Sequence, residues 1–152
     1  MIAIEPARIE DAAEILALQR LAYVREARIY GDFTIPPLAQ TLEELSAEFA
    51  SKVFLKALEG GDLVGCVRGH ARSGTAYLER LMVHPSHQGR GIGTQLVRAF
   101  EQCFPGATRF ELFTGHKSAA NIVLYRRLGY MPLRQERVNP GLELVYLEKL
   151  VT

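Results

Sequence analysis

A strand, a glycine-rich loop and a helix follow one another between residues 76 and 104, and this succession constrains the fold more than any other feature. The stretch from Tyr77 to Val83 is mostly apolar and has strand length, and His84-Pro85 ends it. A helix is predicted after the loop because large apolar residues recur every four positions, at Ile92, Leu96, Phe100 and Phe104. The loop reads Gln-Gly-Arg-Gly-Ile-Gly over residues 88–93. Glycines before a helix let several backbone N–H groups face one ligand, and the helix N-terminus adds positive partial charge, so the loop predicts a phosphate or pyrophosphate site.

Two other kinds of phosphate-binding loop do not fit this stretch. A Walker A loop ends in Gly-Lys-Ser/Thr, whereas Gly93 is followed directly by Thr94. A dinucleotide-binding loop follows the first strand with the spacing G-x-G-x-x-G, whereas these glycines alternate singly and lie in mid-chain. The remaining alternative is a turn that only joins the strand to the helix.

The stretch resembles the acyl-CoA-binding motif of the GNAT N-acetyltransferase superfamily. The resemblance lies in Leu81-Met82-Val83, in Pro85, and in the Gln-x-x-Gly-x-Gly pattern of Gln88, Gly91 and Gly93. It implies that the co-substrate is acetyl-CoA, with the strand backbone along its pantetheine arm and the loop around its pyrophosphate. The cofactor-binding residues that it implies here are Leu81, Met82, Val83, Gln88, Gly89, Arg90, Gly91, Ile92, Gly93 and Thr94.

A second motif lies on the next predicted helix, which begins at Ser118 and ends before Gly129. It is similar to the GNAT helix in which an Asn contacts the cofactor and a Tyr protonates the departing CoA thiolate. The resemblance implies that Tyr125 is this catalytic acid, and the alternative is that it is a core aromatic. It also implies a cofactor contact from either Ser118 or Asn121, because many members have Asn where this chain has Ser118. Ser118 is equally suited to cap the helix.

The predicted elements follow the order β-α-α-β-β-β-α-β-α-β-β. Hairpin turns are indicated at residues 59–62, 73–74 and 139–141, and a capping box at Thr41 and Glu44 begins the second helix. The order predicts an α/β (α+β) fold with a mixed, mostly antiparallel sheet of about seven strands and about four helices. It matches the GNAT order along the whole chain. The resemblance implies a sheet splayed at its centre and a single N-acetyltransferase domain over residues 1–152.

The first helix is predicted from Ile9 to about Tyr23, and the apolar period is lost between Arg25 and Pro37. We therefore expect a long surface loop over residues 25–37, where the resembled family has its variable acceptor loop. Tyr30 and Asp32 are the predicted substrate-binding residues, since an aromatic ring and a carboxylate both favour a cationic amine. The alternative is that the aromatic residues only pack this loop onto the sheet.

Two glutamates on the predicted central strands are candidates for the general base. An ammonium acceptor must lose a proton before it attacks a thioester, and the resembled family uses a strand carboxylate, often through water. Glu79 is the predicted catalytic base, with Glu111 as the alternative. His84 and His87 precede the glycine loop, but no third ligand accompanies them, so no metal is expected.

Charge and hydropathy exclude several classes of partner. Lys and Arg number 18 against 17 Asp and Glu, so the net charge is +1 and no global field indicates nucleic acid or an anionic membrane. No apolar stretch approaches the length of a membrane span. Cys66 and Cys103 show no paired spacing and are expected to be buried, reduced thiols. We expect a soluble cytoplasmic protein, for which a homodimer is one assembly that the sequence allows.

These observations favour an acetyl-CoA-dependent N-acetyltransferase that moves an acetyl group directly to a primary amine of a small molecule or peptide. Direct transfer is expected because neither motif contains a cysteine nucleophile. The alternative is a non-catalytic acyl-CoA-binding sensor with the same fold. The sequence does not identify the amine.

Overall fold

The computed structural model describes residues 1–151, so the last residue of the predicted domain lies outside the described part. One seven-stranded sheet runs through it in the order β1-β2-β3-β4-β5-β7-β6. All neighbouring strands are antiparallel except β4 and β5, which are parallel. The strands are β1 (Ile2–Pro6), β2 (Val53–Glu59), β3 (Asp62–Arg72), β4 (Thr75–Val83), β5 (Arg109–Gly115), β6 (Met131–Asn139) and β7 (Leu142–Leu150). This sheet confirms the predicted fold class.

Helices cover both faces of the sheet and bury two separate cores. The helices are α1 (Ala12–Tyr30), α2 (Pro36–Ala39), α3 (Leu42–Glu48), α4 (Ile92–Gln102) and α5 (Ala119–Arg127). Successive strand residues point to opposite faces, so Leu55 belongs to the core under α4 whereas Phe54 packs with α1 and α3. The predicted apolar stripe of α4 is confirmed, since Ile92, Leu96 and Phe100 are all buried. No helix among residues 1–151 has the length and hydrophobicity needed to cross a membrane.

The first long helix does not end near Tyr23, as the apolar period had predicted. Helix α1 continues to Tyr30 and ends at Gly31, whose φ of 64° is the left-handed conformation typical of a helix C-cap. The irregular segment is therefore much shorter than residues 25–37, because α2 begins at Pro36. Two facts explain the error: the added turns consist largely of good helix formers, and buried Ala27 continues the apolar face with a small side chain.

A buried polar network ties the first three helices to the sheet. Arg68 on β3 is only 1% exposed, and its guanidinium donates to Gln19 at 2.9 Å and to Gln40 at 3.0 Å. Glu48 balances its charge, with an N–O distance of 3.0 Å. Burying a charge is costly unless it is paired and hydrogen-bonded, so this network fixes where the helices sit beside β3 and β4. The predicted capping box at the start of α3 is confirmed, with Thr41 and Glu44 exchanging bonds of 2.9 and 3.1 Å.

Candidate active site

The sheet opens between its two parallel central strands. Strands β4 and β5 pair only from Thr75 to Tyr77, opposite Arg109 to Glu111. Beyond Tyr77 the strands diverge, so the later part of β4 presents backbone N–H and C=O groups to the gap. Such groups need partners, and a bound ligand in extended conformation can supply them. The splay that the family resemblance implied is confirmed.

A cavity of about 550 Å³, called here the loop cavity, lies between α1, the end of β4, the glycine loop and α5. It contains most of the predicted cofactor-binding residues. Those that line it are Leu81, Met82, Val83, Gln88, Gly89, Gly91, Ile92, Gly93, Thr94, Ser118 and Asn121. The structure therefore brings the two sequence motifs together on one surface, although about 25 residues separate them in the chain.

The glycine loop has the backbone conformation that its sequence predicts. Gly89 and Gly91 have φ values of 76° and 79°, in the left-handed region that other residues rarely adopt. Gly93 has no positive φ, and a Cβ there would make an ordinary contact of 3.4 Å with the side chain of Leu124. The first backbone N–H that bonds within α4 is that of Gln95, to the Gly91 carbonyl at 3.1 Å.

The first turn of α4 is consequently free to bind an anion. Within residues 1–151, the N–H groups of Ile92, Gly93 and Thr94 have no hydrogen-bond acceptor. These N–H groups and the helix dipole favour a phosphate at this end of the helix. The cavity also contains two basic side chains that the sequence did not mark, Arg25 and Arg127, together with His87. Arg25 donates to Gln88 at 2.6 Å and so joins α1 to the loop.

Arg90 is placed differently from the other predicted loop residues. It does not line the loop cavity, and its guanidinium pairs with Glu59 at the end of β2. Glu59 also accepts from His87, at an N–O distance of 3.2 Å. The hydrogen bond from Arg90 and its charge hold the pKa of Glu59 below its ordinary value. Arg90 thus holds the outer side of the loop in place.

A second cavity of about 310 Å³, called here the splay cavity, lies between the diverging strands, α1, α2 and α5. Tyr125 lines it and is only 5% exposed. No hydrogen bond joins its hydroxyl to another residue of the described chain, and burial raises its pKa above the ordinary value. The phenol therefore stays protonated and has a proton to donate. Both readings of Tyr125 have support, because its ring also packs edge-on against Tyr130 with the centroids 6.1 Å apart.

Only one of the two candidate bases lines the splay cavity. Glu79 lines the splay cavity, and its carboxylate accepts from Lys52 at 2.8 Å and contacts the His70 ring nitrogen at 3.0 Å. Glu111 does not line this cavity; it pairs with Arg109 at 2.7 Å and faces an outer pocket that Glu79 also lines. A third carboxylate, Glu26 on α1, lines both cavities, although the sequence did not mark it as a candidate base.

The start of α5 is joined to the end of α1 by side chains. Ser118 is 4% exposed, and its hydroxyl donates to Glu26 at 2.6 Å and lies 2.9 Å from the hydroxyl of Tyr30. Ser118 occupies the N-cap position, but its side chain does not cap the helix. Asn121 lines both cavities, and its amide donates to Thr114 at 3.3 Å. Both candidate cofactor contacts therefore face the loop cavity.

The two predicted substrate-binding residues are separated by the structure. Tyr30 lines the splay cavity, but its hydroxyl is used by Ser118 and by the backbone N–H of Lys117, at 2.9 Å each. Asp32 lines neither cavity, and its carboxylate accepts from the backbone and side chain of Thr34. No cluster of three or more metal-ligating side chains occurs within residues 1–151.

Comparison with known proteins identifies the family. The model of the acetyltransferase (GNAT) family matches residues 14–130, which is well over half of the chain. The chain belongs to the GNAT acetyltransferase family. This membership confirms the resemblance that the two motifs indicated.

Individual relatives of this GNAT chain are distant. It is 28% identical over 133 residues to the UPF0157 protein YqkA of Bacillus subtilis, a match that covers 88% of this chain and 38% of that protein. The chain thus spans about two fifths of the length of this curated relative. Among solved structures, PaiA N-acetyltransferase of Thermoplasma acidophilum, in complex with coenzyme A, has a TM-score of 0.82 at 19% identity over 99% of both chains. YncA of Salmonella typhimurium, with acetyl-CoA, has a TM-score of 0.76 at 23% identity over 100% of this chain and 95% of that one. At such identities these structures support the shared fold alone.

Proposed function

We propose that this chain is an acetyl-CoA-dependent N-acetyltransferase that moves an acetyl group directly to a primary amine of a small molecule or peptide. The observation that carries the proposal is that the two cavities meet. Tyr23, Glu26, Leu81 and Asn121 line both of them. Acetyl-CoA in the loop cavity and an amine in the splay cavity would therefore reach each other at the centre of the sheet. The relatives from Thermoplasma and Salmonella, solved with coenzyme A and acetyl-CoA, lend further support.

The residues of the loop cavity fit acetyl-CoA. The unpaired N–H groups at the start of α4 suit its pyrophosphate, and Arg25 and Arg127 add positive charge beside them. The open backbone of β4 from Leu81 to Val83 suits the amides of the pantetheine arm. When bound, acetyl-CoA supplies a thioester carbon, so that a C–N bond to the amine replaces the C–S bond.

Two side chains of the splay cavity are suited to move the protons of this exchange. Tyr125 is proposed to protonate the sulfur that leaves, because its phenol is kept protonated by burial. Glu79 is proposed to receive the proton of the acceptor ammonium, since its carboxylate faces the same cavity. His70 contacts Glu79 and has a side chain 37% exposed to solvent, which gives the proton a route outward. In this scheme, Tyr125 gives a proton to the departing sulfur and Glu79 takes one from the amine.

The cysteines support transfer in a single step. Neither of the two free thiols lines the loop cavity or the splay cavity. Cys66 is buried as expected, and burial raises its pKa to about 12, so that little thiolate forms near neutral pH. Cys103 is exposed, contrary to the expectation that it would be buried, and it lies at the far end of α4 from the loop. No thiol is therefore placed to carry the acetyl group.

A thiol-release assay tests this function. The purified chain would be incubated with acetyl-CoA and a panel of amino acids, polyamines, aminoglycosides and peptide N-termini. Release of free CoA that depends on one class of amine supports the proposal. If acetyl-CoA binds in calorimetry but no amine releases CoA, the chain acts as an acyl-CoA-binding sensor instead.

Replacing Tyr125 by phenylalanine tests the acid. The ring stays, so affinity for acetyl-CoA should be unchanged while kcat falls by roughly a hundredfold or more. Tyr130→Phe is the matched control, because Tyr130 is also buried but lines neither cavity. Its hydroxyl donates to Glu101 at 2.8 Å, so the substitution removes a buried hydroxyl outside the site. An undiminished kcat in Tyr125→Phe would leave this residue as a core aromatic only.

A further inference from the structure

Arg80 occupies an irregular position on β4, at the edge of the splay cavity. Strand β3 places Cys66 opposite Met82 and Arg68 opposite Glu79, so β4 carries one extra residue between these pairs. Arg80 lies in this bulge with a φ of 47°, a conformation that is strained for a residue with a side chain. Bulges redirect side chains and are common beside active sites. Strain of this kind motivates a search for what the side chain does.

Among the residues that the structure describes, none makes a hydrogen bond or an ion pair with the guanidinium of Arg80. Its Nε is buried and makes no hydrogen bond, and none of the ion pairs or cation–π contacts within residues 1–151 involves it. The nearby Arg68 differs, because Glu48, Gln19 and Gln40 satisfy its donors. A buried charged donor without an acceptor is costly, and an anion that enters from outside removes this cost.

The surroundings of Arg80 favour an anion that belongs to the acceptor. Arg80 lines the splay cavity and not the loop cavity, so it is on the side away from the glycine loop. The two carboxylates of the cavity do not compensate it: Glu79 pairs with Lys52 and His70, and Glu26 accepts from Ser118. Much of the remaining wall is apolar, formed by Ile35, Pro36, Pro37, Phe113, Val138 and Leu144.

We infer that the acceptor carries a carboxylate that Arg80 binds, and that it is an amino acid with an apolar side chain or a close analogue. This inference rests on the proposed function and narrows its acceptor. A guanidinium can hold a carboxylate through two parallel N–H···O bonds, the apolar wall suits the side chain, and the amine is left to face the junction with the loop cavity. Polyamines and aminoglycosides lack the carboxylate, and a peptide N-terminus lacks it next to the amine.

Matched pairs of amines test the inference, since each apolar L-amino acid differs from its amide only in the carboxylate. In the thiol-release assay, the wild type should have a kcat/KM at least tenfold higher for the best acid than for its amide. Arg80→Met should lower kcat/KM for the acid by roughly a hundredfold and leave that for the amide unchanged. Arg80→Lys keeps the charge but not the planar guanidinium, so its kcat/KM for the acid should lie between those of the wild type and Arg80→Met. Arg98→Met, on the exposed face of α4, should behave like the wild type.

The outcomes separate this inference from the proposed function. Unchanged affinity of Arg80→Met for acetyl-CoA in calorimetry shows that the variant is folded. If Arg80→Met does not fold, Arg80→Lys is compared with the wild type instead. Efficient acetylation of amides or polyamines that is insensitive to Arg80 overturns the carboxylate inference and leaves the acetyltransferase intact. If no amine releases CoA, the proposed function fails, and binding of N-acetyl-L-leucine against N-acetyl-L-leucinamide decides the site. Preference for the acid that disappears in Arg80→Met then supports the carboxylate site, and equal or absent binding overturns it.

Discussion

Replacement of Gly91 by alanine tests how the glycine loop holds an anion. Gly91 has φ and ψ values of 79° and 8°, and a Cβ built there would meet nothing within 4 Å. The cost of alanine is therefore conformational and not steric, and a left-handed conformation costs an L-residue roughly 1–2 kcal/mol. The loop can escape this cost by relaxing to negative φ. Such relaxation would change the directions of the N–H groups of Ile92, Gly93 and Thr94, which are the proposed donors to the anion.

The structure sets the size of the effect. If the loop relaxes, acetyl-CoA must restore the strained conformation when it binds, so roughly 1–2 kcal/mol is lost from the binding free energy. This corresponds to a Kd that is roughly 5- to 30-fold higher, measured by calorimetry. Gly74→Ala is the control, since Gly74 has a φ of 83° but lies at the opposite end of β4 from the loop. Its Cβ would also lie 3.3 Å from the Thr108 hydroxyl, so Gly74→Ala should lower the free energy of unfolding by at least roughly 1–2 kcal/mol and leave the Kd unchanged.

One result would refute this reasoning. If Gly91→Ala binds acetyl-CoA within twofold of the wild type, while Gly74→Ala is destabilised as expected, the left-handed conformation of Gly91 is not needed for binding. The anion would then depend on side chains such as Arg25 and Arg127, and alanine at these positions would show it.

Two further predictions concern stability. Gly69→Ala should lower the free energy of unfolding by about 3 kcal/mol or more in chemical denaturation, because its Cβ would overlap the Tyr77 carbonyl oxygen and the Phe100 ring; a loss under about 1 kcal/mol would contradict this. The pKa of Glu48 lies below its ordinary value of 4.5, since burial, which raises it, is outweighed by the hydrogen bond from Lys52 and the charge of Arg68. A carboxylate with a lowered pKa contributes stability above its ordinary pKa and loses it as the pH falls through the folded-state value. Between pH 6 and 3, the free energy of unfolding, measured by chemical denaturation, should therefore fall less in Glu48→Gln than in the wild type. An equal fall in both proteins would contradict the lowered pKa of Glu48.

Much of the fold and one half of the site could be predicted because their signals are local. The alternating glycines, the apolar stripe of α4 and the capping box at Thr41 each occupy 13 residues or fewer. Backbone conformation and helix boundaries depend mainly on such short-range sterics and hydrogen bonds. For the same reason, the loop and strand residues that were predicted to bind the cofactor all line the loop cavity, apart from Arg90.

The other half of the site was decided by tertiary structure. Glu26 and Tyr30 meet Ser118 across separations of 92 and 88 residues, and no local pattern predicts these contacts. Tyr30 was predicted to bind the acceptor from an irregular loop, whereas α1 continues to Tyr30 and the Tyr30 hydroxyl bonds to Ser118. Arg80 is likewise an ordinary strand residue in the sequence. Its unpaired guanidinium arises from a bulge that depends on the register between β3 and β4, and register is set by long-range packing of whole strands.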